Sequence, residues 1–166
     1  MTLYMVRHGI AEDRHPTGAD PDRRLTKRGA EKTALVARAL KRMNVDADLI
    51  ISSPYVRARQ TAEILAEMLG YTDDIVDDRR LTPSGDYDGI SAIVNEYLDA
   101  ESILVTGHEP SMGTMLSGLC AGGGLLIDVK KASVTAIEIM RLRPHALGAL
   151  KWMLTPRIVE DMMRRE

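Results

Sequence analysis

The sequence Leu3-Tyr4-Met5-Val6-Arg7-His8-Gly9 begins as an uninterrupted apolar run rich in strand-forming residues and ends in two polar side chains and a glycine. Residues 49–51 and 103–105 repeat this pattern of a short apolar run followed by polar residues. Apolar runs that do not alternate with polar residues are typical of strands covered on both faces. The three runs therefore predict buried, mainly parallel strands.

Helical patterns separate the predicted strands. Thr26 is placed to cap a helix whose apolar stripe continues to Met43, and a second pattern begins at Pro54 and ends at Gly70. A threonine oxygen accepts a free N–H at the start of a helix, and glycine adopts the left-handed conformation that closes one. A third apolar stripe ends in the glycines at 122–124. We expect a helix at each of these patterns.

The remaining segments complete a layered fold. Residues 90–98 carry a weaker helical pattern, and residues 133–139 and 150–154 have strand-like sequences. Helices that alternate with buried strands predict a three-layer α/β domain, with a mainly parallel sheet, an antiparallel edge strand and helices on both faces. Because 166 residues suit one hydrophobic core, we expect a single domain over residues 1–166.

The composition excludes several classes of protein. The chain has 22 Lys and Arg against 24 Asp and Glu, so its net charge of −2 gives no global basic field for nucleic acid. No uncharged run approaches the roughly 18 residues that a membrane helix needs. Cys120 is the single cysteine, which excludes an internal disulfide and a thiolate-rich metal site. We expect a cytoplasmic protein without nucleic-acid or membrane partners, and its oligomeric state stays open.

The residues that end the three apolar runs predict a shared site, because ligands of such sheets bind beyond the carboxyl ends of the strands. Arg7 and His8 end the first run, Arg57 follows the second in the first turn of a helix, and His108 follows the third. Arginine offers a planar fork of donors for phosphate oxygens, and a helix N-terminus adds free N–H groups. One neutral imidazole can attack phosphorus while another donates to a phosphoryl oxygen. The site therefore suits phosphate chemistry, and that chemistry needs no metal ion.

Three motifs resemble those of the histidine phosphatase superfamily, also called the phosphoglycerate mutase-like family. They are Val6-Arg7-His8-Gly9, Ser52-Ser53-Pro54-Tyr55-Val56-Arg57-Ala58-Arg59-Gln60-Thr61 and Thr106-Gly107-His108-Glu109-Pro110. The short chain and the stretch Arg23-Arg24-Leu25-Thr26-Lys27-Arg28-Gly29 look like the compact SixA-type phosphohistidine phosphatase branch. The resemblance covers nearly the whole chain and implies the phosphoglycerate mutase-like fold.

The resemblance also implies roles for single residues. His8 falls on the nucleophile that takes the phosphoryl group as a transient phosphohistidine, which water then hydrolyses. Arg7 and Arg57 fall on the family's phosphate-binding arginines, and His108 falls on its second pocket histidine. Arg23 matches an arginine of the SixA-type branch, and two interpretations stay open: contact with phosphate or a substrate acid, or a solvated charge.

The proton donor for the leaving group stays open as well. Larger members of the family take an acid from an inserted region after the second motif, and that region is short here. Glu109, Asp86 and Glu12 are the candidates, Glu109 because it directly follows His108, as an acid does in the family's acid-phosphatase branch. A weak or absent acid favours good leaving groups, and the imidazole of phosphohistidine is a much weaker base than an alkoxide.

These observations predict a phosphatase without metal or cofactor that acts on protein phosphohistidine through an intermediate on His8. A phosphatase of a small metabolite, such as an acyl phosphate, is the alternative enzyme. A domain that binds a phosphorylated protein or a small phosphate ligand without turnover is the alternative outside enzymes, and the intact His8 argues against it. Lys130-Lys131 is either a solvated turn or a pair that attracts an acidic partner.

Overall fold

The structure, a computed structural model, describes residues 1–141 and 145–164, in which five α-helices cover one six-stranded sheet. The strands are β1 (Thr2–Arg7), β2 (Leu49–Ser52), β3 (Val76–Asp77), β4 (Ser102–Gly107), β5 (Val134–Arg141) and β6 (Leu147–Leu154). The helices are α1 (Lys27–Arg42), α2 (Val56–Leu69), α3 (Tyr87–Glu96), α4 (Ser111–Ala121) and α5 (Pro156–Met163). None of the helices within these ranges is long and apolar enough to cross a membrane.

Strand direction divides the sheet into two parts. The strand order is β3-β2-β4-β1-β5-β6, the first four strands run parallel, and β5 runs antiparallel to both β1 and β6. The predicted three-layer α/β domain with a mainly parallel sheet is confirmed. Strand β5, which runs against the parallel strands, is not itself the edge strand, because β6 pairs with it and forms the edge of the sheet.

Each face of the sheet carries an apolar core, as the continuous apolar runs predict. On one face, Ile103 and Val105 of β4 pack against α3 and α4, whose Ile93 and Leu116 are fully buried. On the other face, Leu104 packs against α1, α2 and α5. Neighbouring residues of one strand serve opposite cores because successive side chains point to opposite faces.

The predicted helix boundaries are confirmed where a cap fixes them. The Thr26 side chain accepts a backbone N–H at 3.0 Å at the start of α1. Gly70 and Gly122 end α2 and α4 with φ angles of 82° and 57°, in the left-handed region that favours glycine. Helix α3 begins at Tyr87 rather than at residue 90, because the Asp86 side chain caps it there.

Strand register brings the predicted site together. Arg7 at the end of β1 is level with Gly107 at the end of β4, and Ser52 of β2 is level with Thr106. The pairing continues for one more residue, since the His8 N–H donates to the Gly107 oxygen at 2.9 Å. The carboxyl ends of three adjacent strands therefore meet at one edge of the sheet.

Candidate active site

His8 is held in one tautomer by its neighbours. The residue is 6% exposed, and its Nδ1 lies 2.7 Å from the Gly9 carbonyl oxygen, which only accepts hydrogen bonds. In the neutral ring Nδ1 therefore carries the hydrogen and Nε2 keeps its lone pair. The Nε–H of Arg57 donates to that Nε2 over 3.2 Å. A neutral imidazole with a lone pair on Nε2 is equipped to attack phosphorus.

Arg57 reaches His8 from the first turn of α2. Only 4% of this residue is exposed, and its guanidinium lies 5.2 Å from the centre of the Tyr55 ring. Its Nη1 donates to the Asp20 main-chain oxygen at 2.7 Å, and its Nη2 donates to the Asp20 carboxylate at 2.9 Å. These contacts fix a planar set of donors beside the nucleophile.

Thr61 ties the end of β1 to α2. Its Oγ1 accepts the Gly9 N–H at 3.1 Å and donates to the Arg57 carbonyl oxygen at 2.7 Å. Gly9 also lies against α1, where its lack of a side chain is required, because a Cβ there would lie 2.7 Å from Oγ1 of Thr33. One buried hydroxyl thus sets the spacing between the segment that carries His8 and the helix that carries Arg57.

His108 lies against His8, with 5.0 Å between the ring centres. Its Nε2 shares a hydrogen bond of 2.8 Å with the Ser53 hydroxyl, and the Tyr55 ring packs edge-on against it. Its Nδ1 is buried and has no hydrogen-bond partner among the residues that the structure describes. When Ser53 donates to Nε2, the neutral His108 ring carries its proton on Nδ1 as an unused donor.

Arg7 holds a second unused donor. Its Nη1 donates to the Val129 oxygen at 2.6 Å, whereas its Nε is buried without a partner in residues 1–141 and 145–164. Buried donors without partners are rare in folded proteins. Together with Nδ1 of His108, Nε of Arg7 suits an anion that has several acceptor oxygens, as a phosphoryl group has.

Burial and neighbouring cations keep both imidazoles neutral. The pKa of His8 is lowered to about 3, first by burial and then by the charges of Arg57, Arg7 and Lys131. The pKa of His108 is lowered to about 2 by burial and by the neighbouring His8 and Arg57. At neutral pH the site therefore combines cationic guanidinium groups with uncharged imidazoles, and the His8 lone pair is available.

Comparison with known proteins identifies the family. The sequence model of the histidine phosphatase superfamily (branch 1) matches residues 3–101. The chain belongs to this superfamily. It is 35% identical to an uncharacterised protein of Picosynechococcus sp., over 93% of this chain and 99% of the relative. It is 28% identical to the phosphohistidine phosphatase SixA of Escherichia coli, over 94% of each chain.

Solved structures agree with this assignment. The protein histidine phosphatase SixA complexed with tungstate aligns with a TM-score of 0.86 at 26% identity, covering 95% of this chain and 98% of that one. The family predicted from three short motifs is confirmed, and membership supports a phosphatase activity. The residues that match the family model include Arg7, His8 and Arg57 and end before His108.

Arg23 of this histidine phosphatase joins the site through Asp20. Its Nη1 lies 2.7 Å from Oδ1 of Asp20, whose Oδ2 binds Arg57. Burial alone would raise the pKa of Asp20, but hydrogen bonds from Arg23 and Arg57 bring it below its ordinary value. An ionised carboxylate therefore bridges the two arginines.

The three predicted proton donors have different surroundings. Burial raises the pKa of Glu109, against the opposing effects of a backbone N–H and Arg7, and its Oε1 is buried without a partner in the described part of the chain. The Asp86 carboxylate caps α3, and the Glu12 carboxylate accepts the backbone N–H of Arg24. Of the three, Glu109 has the environment that favours a protonated acid.

The sequence did not single out Ser53, Tyr55, Thr61 or Asp20 for the site. Ser53, Tyr55 and Thr61 fall within the second motif, and this position in the motif could have identified them as site residues. Asp20 lies in a short 3-10 helix, Asp20–Asp22, between β1 and α1. Its contact with Arg57 depends on the path of that connection, which no local pattern specifies.

No group of three or more His, Cys, Asp or Glu side chains able to hold a metal ion is found within the described ranges of this histidine phosphatase. Metal independence remains a prediction from the chemistry of the site.

Proposed function

We propose that this chain hydrolyses phosphohistidine on a protein by transferring the phosphoryl group to Nε2 of His8, without a metal ion or cofactor. Its 28% identity to the phosphohistidine phosphatase SixA of Escherichia coli supports this substrate class. The observation that carries the mechanism is the hydrogen bond from Nδ1 of His8 to the Gly9 oxygen, which leaves the lone pair on Nε2. The cytoplasmic location expected from the sequence is part of the same proposal.

The phosphoryl oxygens would be bound by Arg7, Arg57 and His108. The buried Nε of Arg7 and Nδ1 of His108, which have no partner in the described part of the chain, and the Arg57 guanidinium beside Nε2 of His8 support this assignment. Charge on the transferred group is spread over its oxygens, so preorganised donors stabilise the transition state more than the free substrate. Arg23 is proposed to bind a phosphoryl oxygen or a neighbouring acid of the substrate once Asp20 releases it.

The reaction consists of two displacements. In the first, a bond forms between Nε2 of His8 and phosphorus while the bond from phosphorus to the substrate imidazole breaks, and the departing nitrogen takes a proton from solvent. In the second, a water oxygen attacks phosphorus, the bond to Nε2 breaks, and inorganic phosphate leaves. His8 returns to the neutral ring with its hydrogen on Nδ1.

Glu109 supports a second candidate function, the hydrolysis of a small phosphate ester. An alkoxide leaving group needs a proton during bond cleavage, and burial raises the pKa of the Glu109 carboxyl, which favours the protonated form that could supply one. The choice between the two functions depends on whether any acid assists the leaving group.

The intermediate can be tested by rapid quench without acid after mixing with radiolabelled phosphohistidine protein in excess chelator. We expect label on His8 of the native protein and none on the variant His8→Ala. The variant should still fold, because His8 follows the last residue of β1 and belongs to neither apolar core. Cys120 is the control nucleophile, and burial raises its pKa and keeps it a thiol. Label on Cys120 or on an aspartate, or a requirement for a divalent ion, would overturn the mechanism. Absence of turnover on every phosphate would favour the binding domain.

The leaving group can be tested with phosphohistidine, aryl phosphates and alkyl phosphates. Without an assisting acid, the rate of forming the His8 intermediate should fall steeply as the leaving group becomes more basic. In that case each acid can be replaced by its amide with only a small loss of activity, and the loss is the same on all three kinds of substrate. The variants are Glu109→Gln, Asp86→Asn and Glu12→Gln. A selective loss on alkyl phosphates in one variant would identify the donor and favour the metabolite phosphatase.

A further inference from the structure

A wide cleft opens beside Arg7 at the same edge of the sheet as His8. Its volume is about 630 Å³, and it lies between the first turns of α1 and α5, the residues after β1 and the loop before β5. A phosphoryl group fills only a small part of such a volume. The cleft can therefore hold parts of a substrate that lie beyond the phosphoryl group.

The cleft is strongly basic although the chain as a whole has a net charge of −2. In the described part of the chain, six basic side chains and one acidic side chain, Asp128, line it. The basic ones are Arg7, Arg28, Lys32, Lys130, Lys131 and Arg157. Lys130 is paired with Asp128, Lys32 with Glu160, and Arg157 with Asp161 at 3.9 Å. The excess of positive charge therefore comes from Arg7, Arg28 and Lys131.

Helix stability does not account for this placement of charge. Arg28 lies in the first turn of α1 and Arg157 in the first turn of α5, and neither first turn contains an acidic residue. The free N–H groups of a helix N-terminus favour negative charge, so arginine there weakens the helix slightly. The two helix dipoles add to the positive potential of the cleft instead of being offset.

The cleft lies close to the nucleophile, because Arg7, the residue before His8, lines it. Lys131 is close enough to His8 to contribute to the lowering of its pKa. The next residue, Ala132, donates its N–H to the main-chain oxygens of Arg7 and His8 at 3.0 and 3.1 Å. The loop that lines the cleft is therefore attached to the segment that carries His8.

We propose that this basic cleft binds an acidic segment of the substrate protein, next to its phosphohistidine. The proposal rests on the proposed function and specifies its partner. A polypeptide fits better than a small anion because the charges are spread along an open surface: the Arg157 side chain is 90% exposed and the Lys130 side chain 62%. Exposed flexible cations steer and orient a partner that carries several carboxylates.

The test compares two phosphohistidine peptides that differ only in flanking glutamates or glutamines. The native protein should prefer the glutamate peptide by about tenfold in kcat/KM, mainly through KM. The double variant Arg28→Glu/Arg157→Glu should lose this preference, while hydrolysis of p-nitrophenyl phosphate stays within about twofold of native. Both substitutions place glutamate in a first helical turn, where the free N–H groups of the helix favour negative charge.

A matched control is Arg38→Glu/Lys151→Glu, which makes the same change in net charge away from the cleft. It should keep the preference for the glutamate peptide. Equal kcat/KM for the two peptides in the native protein, survival of the preference in the cleft variant, or its loss in the control would overturn the proposal.

Failure of the proposed function has a different signature. The native protein would then hydrolyse p-nitrophenyl phosphate but neither phosphohistidine peptide. Fluorescence anisotropy with the unphosphorylated glutamate peptide then decides the docking proposal: salt-sensitive binding that the cleft variant loses supports it, and absence of binding overturns it. If tripolyphosphate binds to the same side chains more tightly than the peptide does, the acidic segment is the wrong ligand, and the cleft binds a small polyanion instead.

Discussion

Asp20 binds two arginines with the same chemistry that a phosphoryl group would use. Its carboxylate oxygens lie 2.7 Å from Arg23 and 2.9 Å from Arg57. The Asp20 side chain is half exposed, at 50%, whereas that of Arg57 is 4% exposed. The carboxylate can therefore leave the site at little cost in buried contacts, while Arg57 stays in place. This arrangement makes Asp20 an internal competitor for anions.

Asp20→Asn should strengthen the binding of tungstate, because it removes a negative charge that competes for Arg57. We expect the inhibition constant of tungstate to fall by about two- to fivefold, which corresponds to the energy of a partly exposed ion pair. The measurement is competitive inhibition with an aryl phosphate substrate. Asp22→Asn is the control, since Asp22 accepts from the Thr17 hydroxyl on the same segment. Weaker tungstate binding to Asp20→Asn would show that Asp20 positions Arg57 and does not compete with anions.

The sequence predicted the site residues that end strands and did not predict those that complete their surroundings. Arg7, His8 and His108 could be found because each lies within three residues of the end of an apolar run, and strand ends of a parallel sheet meet at one edge. Ser53 meets His108 through a side-chain contact between segments 55 residues apart in the chain. Local patterns do not encode such a contact, so the prediction omitted it.

At the scale of elements, the active site depends on how firmly the end of β1 is attached to α2. The Thr61 hydroxyl makes that attachment by accepting from Gly9 and donating to the Arg57 oxygen, and Thr61 is fully buried. The same Gly9 residue accepts from Nδ1 of His8 through its carbonyl oxygen. The tautomer of the nucleophile and the position of the helix are therefore coupled.

Thr61→Val keeps the shape of the side chain and removes the hydroxyl, so the Gly9 N–H is left buried without a partner. The free energy of unfolding should fall by about 1–3 kcal/mol, measured by urea denaturation. kcat should fall by about tenfold or more, because small displacements of reacting groups are costly. Thr114→Val is the control, an exposed helical threonine whose hydroxyl bonds the Pro110 oxygen at 3.3 Å. Equal effects of the two substitutions would contradict the coupling.

Helix α1 was predicted from its local signals, and two short elements, β3 and α5, were not. Helix α1 has a capping threonine and a long apolar stripe, and both were read from the sequence. Strand β3 has two residues, which is too short for any hydrophobic period to be visible. Helix α5 has eight residues with one fully buried apolar position, Val159. Its start has a local signal that the prediction did not use, because the Thr155 side chain accepts the Ile158 N–H at 3.3 Å and Pro156 is in the first turn. Packing against α1 adds to its stability and is visible only in the folded chain.

At the scale of the whole molecule, the two neutral imidazoles that the proposed reaction needs make the folded protein less stable in acid. His8 and His108 are neutral in the folded protein, with pKa values lowered to about 3 and about 2. In the unfolded chain both return to an ordinary pKa of about 6.5. Below that pH the unfolded state binds protons that the folded state refuses, so stability is lost as the pH falls from about 6.5 towards 3.

Each histidine should lower the free energy of unfolding by about 2 kcal/mol between pH 7 and pH 5, because its unfolded pKa lies within this interval and its folded pKa lies below it. The double variant His8→Gln/His108→Gln should therefore lose about 4 kcal/mol less than the native protein over the same interval. Urea denaturation at the two pH values measures this difference, and the carboxylates, which titrate in both proteins, cancel in the comparison. If native and variant lose the same stability, the two rings accept protons in the folded state at their ordinary pKa. His8 would then be half protonated near pH 6.5, and its Nε2 would lack the lone pair that phosphoryl transfer requires.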